Sequence, residues 1–488
     1  MALRFTTLAL LASLSACAVG PNFHRPKPPT ATDYGSAPAQ GSTAASPGTG
    51  GTAQTFTAGM DIPGEWWTLF QSPKLNSLVE QSLKANPDVA AAQAALYQAR
   101  ELYLVQWTSY LPVVQGSLDA TRSRYATNAI SNPTVSPTPI YNLYTAQLSL
   151  SYMPDVLGAT RRAVEAARAQ TEATRYQLIA TYVTLSSNVV TTAVQEASLR
   201  GQIGATERLL AIQRQITGTV QQQRELGTAS DADLLAQQTA EAQTAATLPP
   251  LEKQLGQTRD ALTALLGRLP SEEPADMFRL EDLSLPAALP VSLPSKLIEQ
   301  RPDVRQAEEN MHAASAQVGV ALADMLPQFS INADTGSAAL KLGQLFGPYS
   351  GFWDLGASLT QTLFDAGALL HKHRAAEAAL DQAGAQYRSA VILACQNVAD
   401  TLRALQADAS ALKATAEAER AAKAAFELAR QQRELGTLSM VALLNAETNY
   451  QQAQLALVQA QANRYADTAG LFQALGGGWW NLPQETFK

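Results

Sequence analysis

Soft metal ligands and thiols are scarce in this chain of 488 residues, which has two cysteines and four histidines. Cys17 and Cys395 are too far apart in role to suggest an internal disulfide. His371-Lys372-His373 is the one histidine cluster, and its i, i+2 spacing turns the two rings to different faces of a helix, a poor metal site. There is no phosphate-binding glycine loop, no GxSxG and no CxxC. Acidic residues are scattered without a pairing that points to acid–base catalysis. The reading is therefore not an enzyme, with no metal and no cofactor. Charge is also sparse, at 16% of residues with a net charge of -7, which excludes the basic footprint of a nucleic-acid binder. Beyond the N-terminus no apolar run reaches the length of a spanning helix, so any membrane crossing has to be made by strands. Proline is missing from two stretches, 158–226 and 367–435.

What is present begins with MALRFTTLALLASLSA, residues 1–16: a basic Arg4, an apolar stretch from Phe5 to Leu14, then small residues. That is the form of a signal peptide. Leu14-Ser15-Ala16-Cys17 reads as a bacterial lipobox, in which Cys17 carries a covalent lipid and becomes the new N-terminus. An ordinary signal peptide with a chance cysteine is the alternative. Ala18 and Val19 follow, and the lack of Asp after the cysteine favours the outer membrane of a Gram-negative bacterium. Residues 17–60, rich in Pro, Gly, Ser, Thr and Ala, read as an extended tether. Cys395 falls on a seam with Val391, Val398, Leu402, Leu405, Ala409 and Leu412, which predicts a buried small hydrophobe.

QQRELGT occurs at 222–228 and again at 431–437. Pro87-Asp88-Val89 returns as Pro302-Asp303-Val304, Gly158 as Gly367, and Leu234-Leu235 as Leu443-Leu444. The chain is a tandem duplication: a first repeat over 61–269, a linker over 270–295, a second repeat over 296–477, and a tail over 478–488. Each repeat reads as helix, two strands, a very long helix, a sharp turn and a returning helix. Strands are predicted near 113–126, 141–153, 328–338 and 352–364. Tyr144, Ala146, Leu148, Leu150 and Tyr152 fall on one side of the second, against Thr145, Gln147, Ser149 and Ser151. Trp353, Leu355, Ala357, Leu359 and Leu363 oppose Asp354, Gly356, Ser358, Thr360 and Thr362. The proline-free stretches, about 70 residues each, predict helices of roughly 100 Å. The first return arm is expected to break at Pro249-Pro250. Four amphipathic strands leave two open edges, which lipid does not tolerate. Two copies would give a nearly filled barrel; three give the smallest closed count with a useful lumen.

The order of these motifs carries a resemblance. The lipobox followed by GPNFHRP, then WWTLF, ANPDV, TLPPLEKQL, ALTALLGRLP and the doubled RELGT resembles the TolC-like outer-membrane factors, in particular the NodT-type lipoprotein branch, from Cys17 to about Gly477. The resemblance implies a mixed α and β fold: a homotrimer whose twelve-stranded outer-membrane β-barrel continues into a long periplasmic α-helical barrel. It implies efflux of small molecules in outer-membrane lipid, with docking on a periplasmic membrane-fusion adaptor of an inner-membrane pump of the resistance-nodulation-division type. It places both RELGT turns at the periplasmic tip of the tunnel. There Arg224, Gly227, Thr228, Arg433, Gly436 and Thr437 are docking candidates. Gly227 and Gly436 suit a sharp reversal, while Thr228, Ser230, Thr437 and Ser439 can cap the returning helices. The acids that many relatives carry after the second tip are replaced here by Ala442 and Asn445. Asp231 and Asp233 on the first repeat, with Asn445, become the entrance-gate candidates; the two acids equally suit a helix first turn. A type I protein-secretion duct and a periplasmic coiled-coil scaffold remain the alternative functions.

Overall fold

A computed structural model describes residues 18–35, 41–124, 140–275 and 277–487. The signal peptide read over 1–16, Cys17 and residues 125–126 of the first predicted strand lie outside the described residues. In chain order, β1 (Gly41–Ser42) and β2 (Thr55–Ala58) precede α1 (Pro73–Ala85) and α2 (Pro87–Thr108). Then come β3 (Val113–Arg124), β4 (Ile140–Tyr152), the long α3 (Ala159–Glu225), α4 (Asp231–Ala246) and α5 (Leu248–Leu265). The second repeat holds α6 (Pro294–Gln300) and α7 (Pro302–Ala323) after β5 (Ala288–Val291), then β6 (Gln328–Ala339), β7 (Gly351–Thr360), α8 (Ala368–Glu434) and α9 (Met440–Ala474). The chain forms two compact units. One comprises the residues up to Arg25 with Tyr97–Ala173 and Ala307–Gln386; the other comprises Pro26–Leu96, Thr174–Gln306 and Tyr387–Lys488.

The first unit holds a four-stranded antiparallel sheet in the order β3-β4-β6-β7, so β3 and β7 are its edges. Register carries the alternation across all four strands in the middle of the sheet. Val114 lies opposite Leu150, Leu150 opposite Ala333, and Ala333 opposite Leu355, one apolar row. The neighbouring row is Gln115, Ser149, Asp334 and Asp354. Two like charges directly opposite each other are unfavourable in a dry setting, so this face suits water. Leu118, Leu148, Trp353 and Leu355 stay exposed on the other. β7 ends at Thr360, so Thr362 and Leu363, predicted within it, lie outside the strand. The chain leaves the ladder because Gln361 bonds the Met325 carbonyl and Asp365 already accepts from the backbone of Gly367 and Leu369, starting α8.

Below the sheet, residues 18–25 lie against both repeats. Val19 donates to the Leu157 carbonyl, and Arg162 of α3 donates to Val19, Gly20 and Asn22. Phe23 stacks on His312 of α7 with ring centroids 4.4 Å apart, and Arg25 pairs with Glu308. In the second unit, residues 41–58 are anchored too. β2 pairs in parallel with β5, Tyr34 donates to the Ser292 carbonyl, and Arg464 donates to Gly50, Thr43 and Thr52. The segment expected as a tether is extended but packed along much of its length, because Tyr34, Gln54 and Phe56 supply buried anchors that its composition hides.

α3 and α8 each run 67 residues unbroken, about 100 Å. The first return arm breaks at Thr247, ahead of Pro249-Pro250: α5 takes the prolines into its first turn, where a missing N–H has no helical acceptor anyway. In the second unit, fully buried Glu196 on α3 accepts from Arg200 at 2.7 Å and from Arg259 of α5 at 2.8 Å. Removing the anion takes the carboxylate from Arg200 and leaves Arg259 only its pairing with Glu273 at 2.8 Å. Glu196→Ala is expected to lower stability by roughly 3 kcal/mol, read as a drop in the unfolding midpoint in detergent; an unchanged midpoint would show that the arginines find water instead.

Candidate functional site: the two hairpin tips

Each long helix ends in the same device. Gly227 donates to the Arg224 carbonyl and Thr228 to the Gln223 carbonyl; Gly436 and Thr437 repeat both bonds to Arg433 and Gln432. This is a Schellman closure, and it requires the left-handed backbone found at Gly227 (φ 75°) and Gly436 (φ 73°). A Cβ built at either glycine meets nothing within 4 Å. Dihedral strain alone, about 1–2 kcal/mol, opposes a side chain there. Ser230 and Ser439 cap the returning helices, accepting from the backbone of Asp233 and Ala442. Thr228 and Thr437, expected as alternative caps, instead turn their hydroxyls back to the Gln223 and Gln432 carbonyls, each at 2.9 Å. Those carbonyls are among the open acceptors at a helix end, and the glycine turn carries the threonines over them.

Charge separates the two tips. Arg224 donates to Asp231 at 2.7 Å within its own hairpin. Arg433 has no such neighbour, since Met440 and Ala442 stand where the first repeat has Asp231 and Asp233. It donates to the Leu438 carbonyl and reaches across to Asp233 of the first hairpin, 3.4 Å away. The structure thus ties both gate-candidate acids to arginines. Asn445 is exposed on α9, bearing no charge. Leu226 and Leu435 stand exposed beside the glycines. Above the turns, Leu209, Val220, Phe426, Met440, Leu443 and Tyr450 form a buried core drawn from α3, α8 and α9.

One residue of this region escaped the sequence reading. Glu447 follows Met440 and Leu443 and precedes Tyr450 on the apolar seam of α9, and only 2% of it is exposed. Burial pushes its carboxyl up to about 7, opposed by Gln213 of α3. An acid on an otherwise apolar seam was the available signal. Elsewhere, Lys372 pairs with Asp324 and His373 sits 3.6 Å from Glu377. Among the described residues no group of three or more His, Cys, Asp or Glu is placed to hold a metal ion, and no helix is long and apolar enough to cross a membrane.

A profile of the outer membrane efflux protein family matches residues 78–268 and 293–477, one block in each repeat. The chain belongs to the outer membrane efflux protein family. Its relatives include the pyoverdine export outer membrane protein OpmQ of Pseudomonas putida, 29% identical with 89% of this chain and 92% of that protein covered. The toluene efflux pump outer membrane protein TtgF, also of Pseudomonas putida, is 28% identical with 99% of both chains covered. Among solved structures, the outer-membrane channel OprN matches with a TM-score of 0.85 at 28% identity, over 95% of this chain and all of that one. The CmeC channel of Campylobacter jejuni matches with a TM-score of 0.86 at 22% identity, over 97% and 98%, which bears on fold alone. The fold is TolC-like, and the protein is an outer-membrane efflux channel rather than an enzyme.

The Arg433–Asp233 contact is part-exposed, so its loss is worth about 1 kcal/mol or less to stability. Its effect should be positional. Asp233→Asn is expected to broaden the distance distribution between spin labels at Gln238 and Asn445, while Asp231→Asn leaves it narrow. An unchanged distribution in Asp233→Asn would reduce Asp233 to a first-turn partner of the α4 dipole.

Proposed function

We propose that this channel is the exit duct of a tripartite efflux system, carrying small organic molecules outward from a periplasmic adaptor and a resistance-nodulation-division pump. Relatives named for toluene and pyoverdine export support that cargo class. Three copies contribute four strands each to one barrel, with the row of Gln115, Ser149, Asp334 and Asp354 toward water and the row of Val114, Leu150, Ala333 and Leu355 toward lipid. The single observation that carries this reading is the sheet itself: two-faced, with unpaired strands at both edges. Open edges in hydrocarbon leave backbone groups without partners, and further copies of the same sheet supply them. An acyl chain on Cys17 adds a lipid anchor beside the segment bound by Arg162.

The tips serve as adaptor contacts. Three chains present six turns of one backbone form, Gly227 and Gly436 leaving open space for a partner to approach and Arg224, Thr228, Arg433 and Thr437 around them. The Arg433–Asp233 contact holds the two hairpins of a chain together at the entrance.

Purified protein is expected to form conducting pores in planar bilayers. Gly227→Ile with Gly436→Ile should retain those pores while losing most adaptor crosslinking; crosslinking at the wild-type level would remove the tips from the docking surface. A Cys17→Ser protein should still need detergent for extraction, because strands rather than the lipid hold it in the membrane. Release by salt or carbonate would contradict the barrel.

A further inference from the structure

Glu447 lies in the tip bundle facing the side chain of Gln213 on α3, with neither carboxyl oxygen in full hydrogen-bond geometry and the Gln213 amide oxygen unsatisfied as well. Both residues are almost wholly buried. Such atoms are costly to leave open. An ionised carboxylate can only accept, so it uses the Gln213 N–H and leaves the amide oxygen bare. A neutral carboxylic acid pairs with a primary amide twice: its O–H donates to Gln213 Oε1, and Gln213 Nε2–H donates to the other carboxyl oxygen. One proton thus completes both groups.

Charged side chains on the surrounding helices do not supply an alternative. Arg214 of α3 pairs with Glu241 of α4 at 3.6 Å. Arg208 of α3, with Glu419 and Glu427 of α8, acts on Tyr450 one turn along. The level of the Glu447 carboxyl is set by burial, with Gln213 as the opposing influence. The first repeat has Gln238 at the matching position, so the feature belongs to the second hairpin alone.

We propose that Glu447 is a proton-binding site inside the tip bundle: neutral, it clasps Gln213 and holds α9 against α3, and losing its proton as the medium turns alkaline loosens the second hairpin. The consequence for conduction rests on the channel reading above; the protonation itself does not. The sign follows from the raised carboxyl. Below the ordinary glutamate range, packed and loosened states both carry the proton and nothing is lost. As pH rises from there to about 7, the loosened state sheds its proton first, so packing weakens, and above about 7 the full penalty applies.

Infrared difference spectroscopy of the full-length protein in detergent tests this directly. Burial also raises Asp408 to about 7, so wild type at about pH 5.5 should show a carboxylic acid C=O band that fades by about pH 8.5, and Glu447→Gln should lack one component of it throughout while keeping the Asp408 component. In bilayers, wild-type open probability should rise severalfold over the same interval, while Glu447→Gln, a permanent stand-in for the neutral acid, stays at the acid-side level. A Glu447→Gln spectrum identical to wild type at both values would show that the buried group is ionised and overturn the proposal. A normal band with a pH-independent open probability would overturn its link to the hairpin. Absence of any conductance would instead strike the channel reading and leave the infrared result standing.

Discussion

An open strand edge, which hydrocarbon does not tolerate, is the constraint on which the proposed channel depends. β3 and β7 flank a sheet whose two faces differ through its middle rows, and among the described residues neither edge has a partner. An even number of antiparallel strands means that β7 of one copy and β3 of the next run in opposite directions, so identical subunits can extend the ladder without reversing its alternation. The same closure would fix which face is wet, because a one-residue slip exchanges the rows. Barrel, lumen and trimer are thus one inference.

Duplication supplies those strands in pairs and also sets up the tips. Both hairpins keep the glycine, the threonine over the helix end and the capping serine, since these answer to backbone geometry. The side chains that answer to neighbours have diverged. Met440 and Ala442 replace the two acids of the first return helix, so Arg433 takes its carboxylate from the other hairpin. Glu447 replaces a surface glutamine with a buried acid. Two hairpins of one chain share a shape and differ in electrostatics.

Features written as periodicity or as backbone rules could be read from the chain alone. Alternation in YNLYTAQLSLSYM and the absence of proline from 158–226 identify a strand and a long helix, because each pattern extends over many residues. Glycine in QQRELGT identifies the turn, because few other residues tolerate its dihedrals. What depends on contact between distant segments stayed hidden. Tyr34 and Phe56 lie in low-complexity surroundings, and nothing local says that β5 will receive β2. Thr362 and Leu363 continue the strand pattern, yet the start of α8 takes the chain off the ladder. Arg433 and Asp233 are 200 residues apart, and Glu447 becomes meaningful only once Gln213 is seen to face it. The family resemblance singled out both RELGT turns, and their hydrogen bonds became visible only in the structure.

Edge closure between copies is the central claim, and disulfide scanning reads that closure most directly. Cysteines placed in turn along β3, with a partner series along β7, in an otherwise cysteine-free protein should form intermolecular bonds in one antiparallel register and yield a covalent trimer in the membrane. Disulfides that form only within one chain, or no register at all, would contradict it.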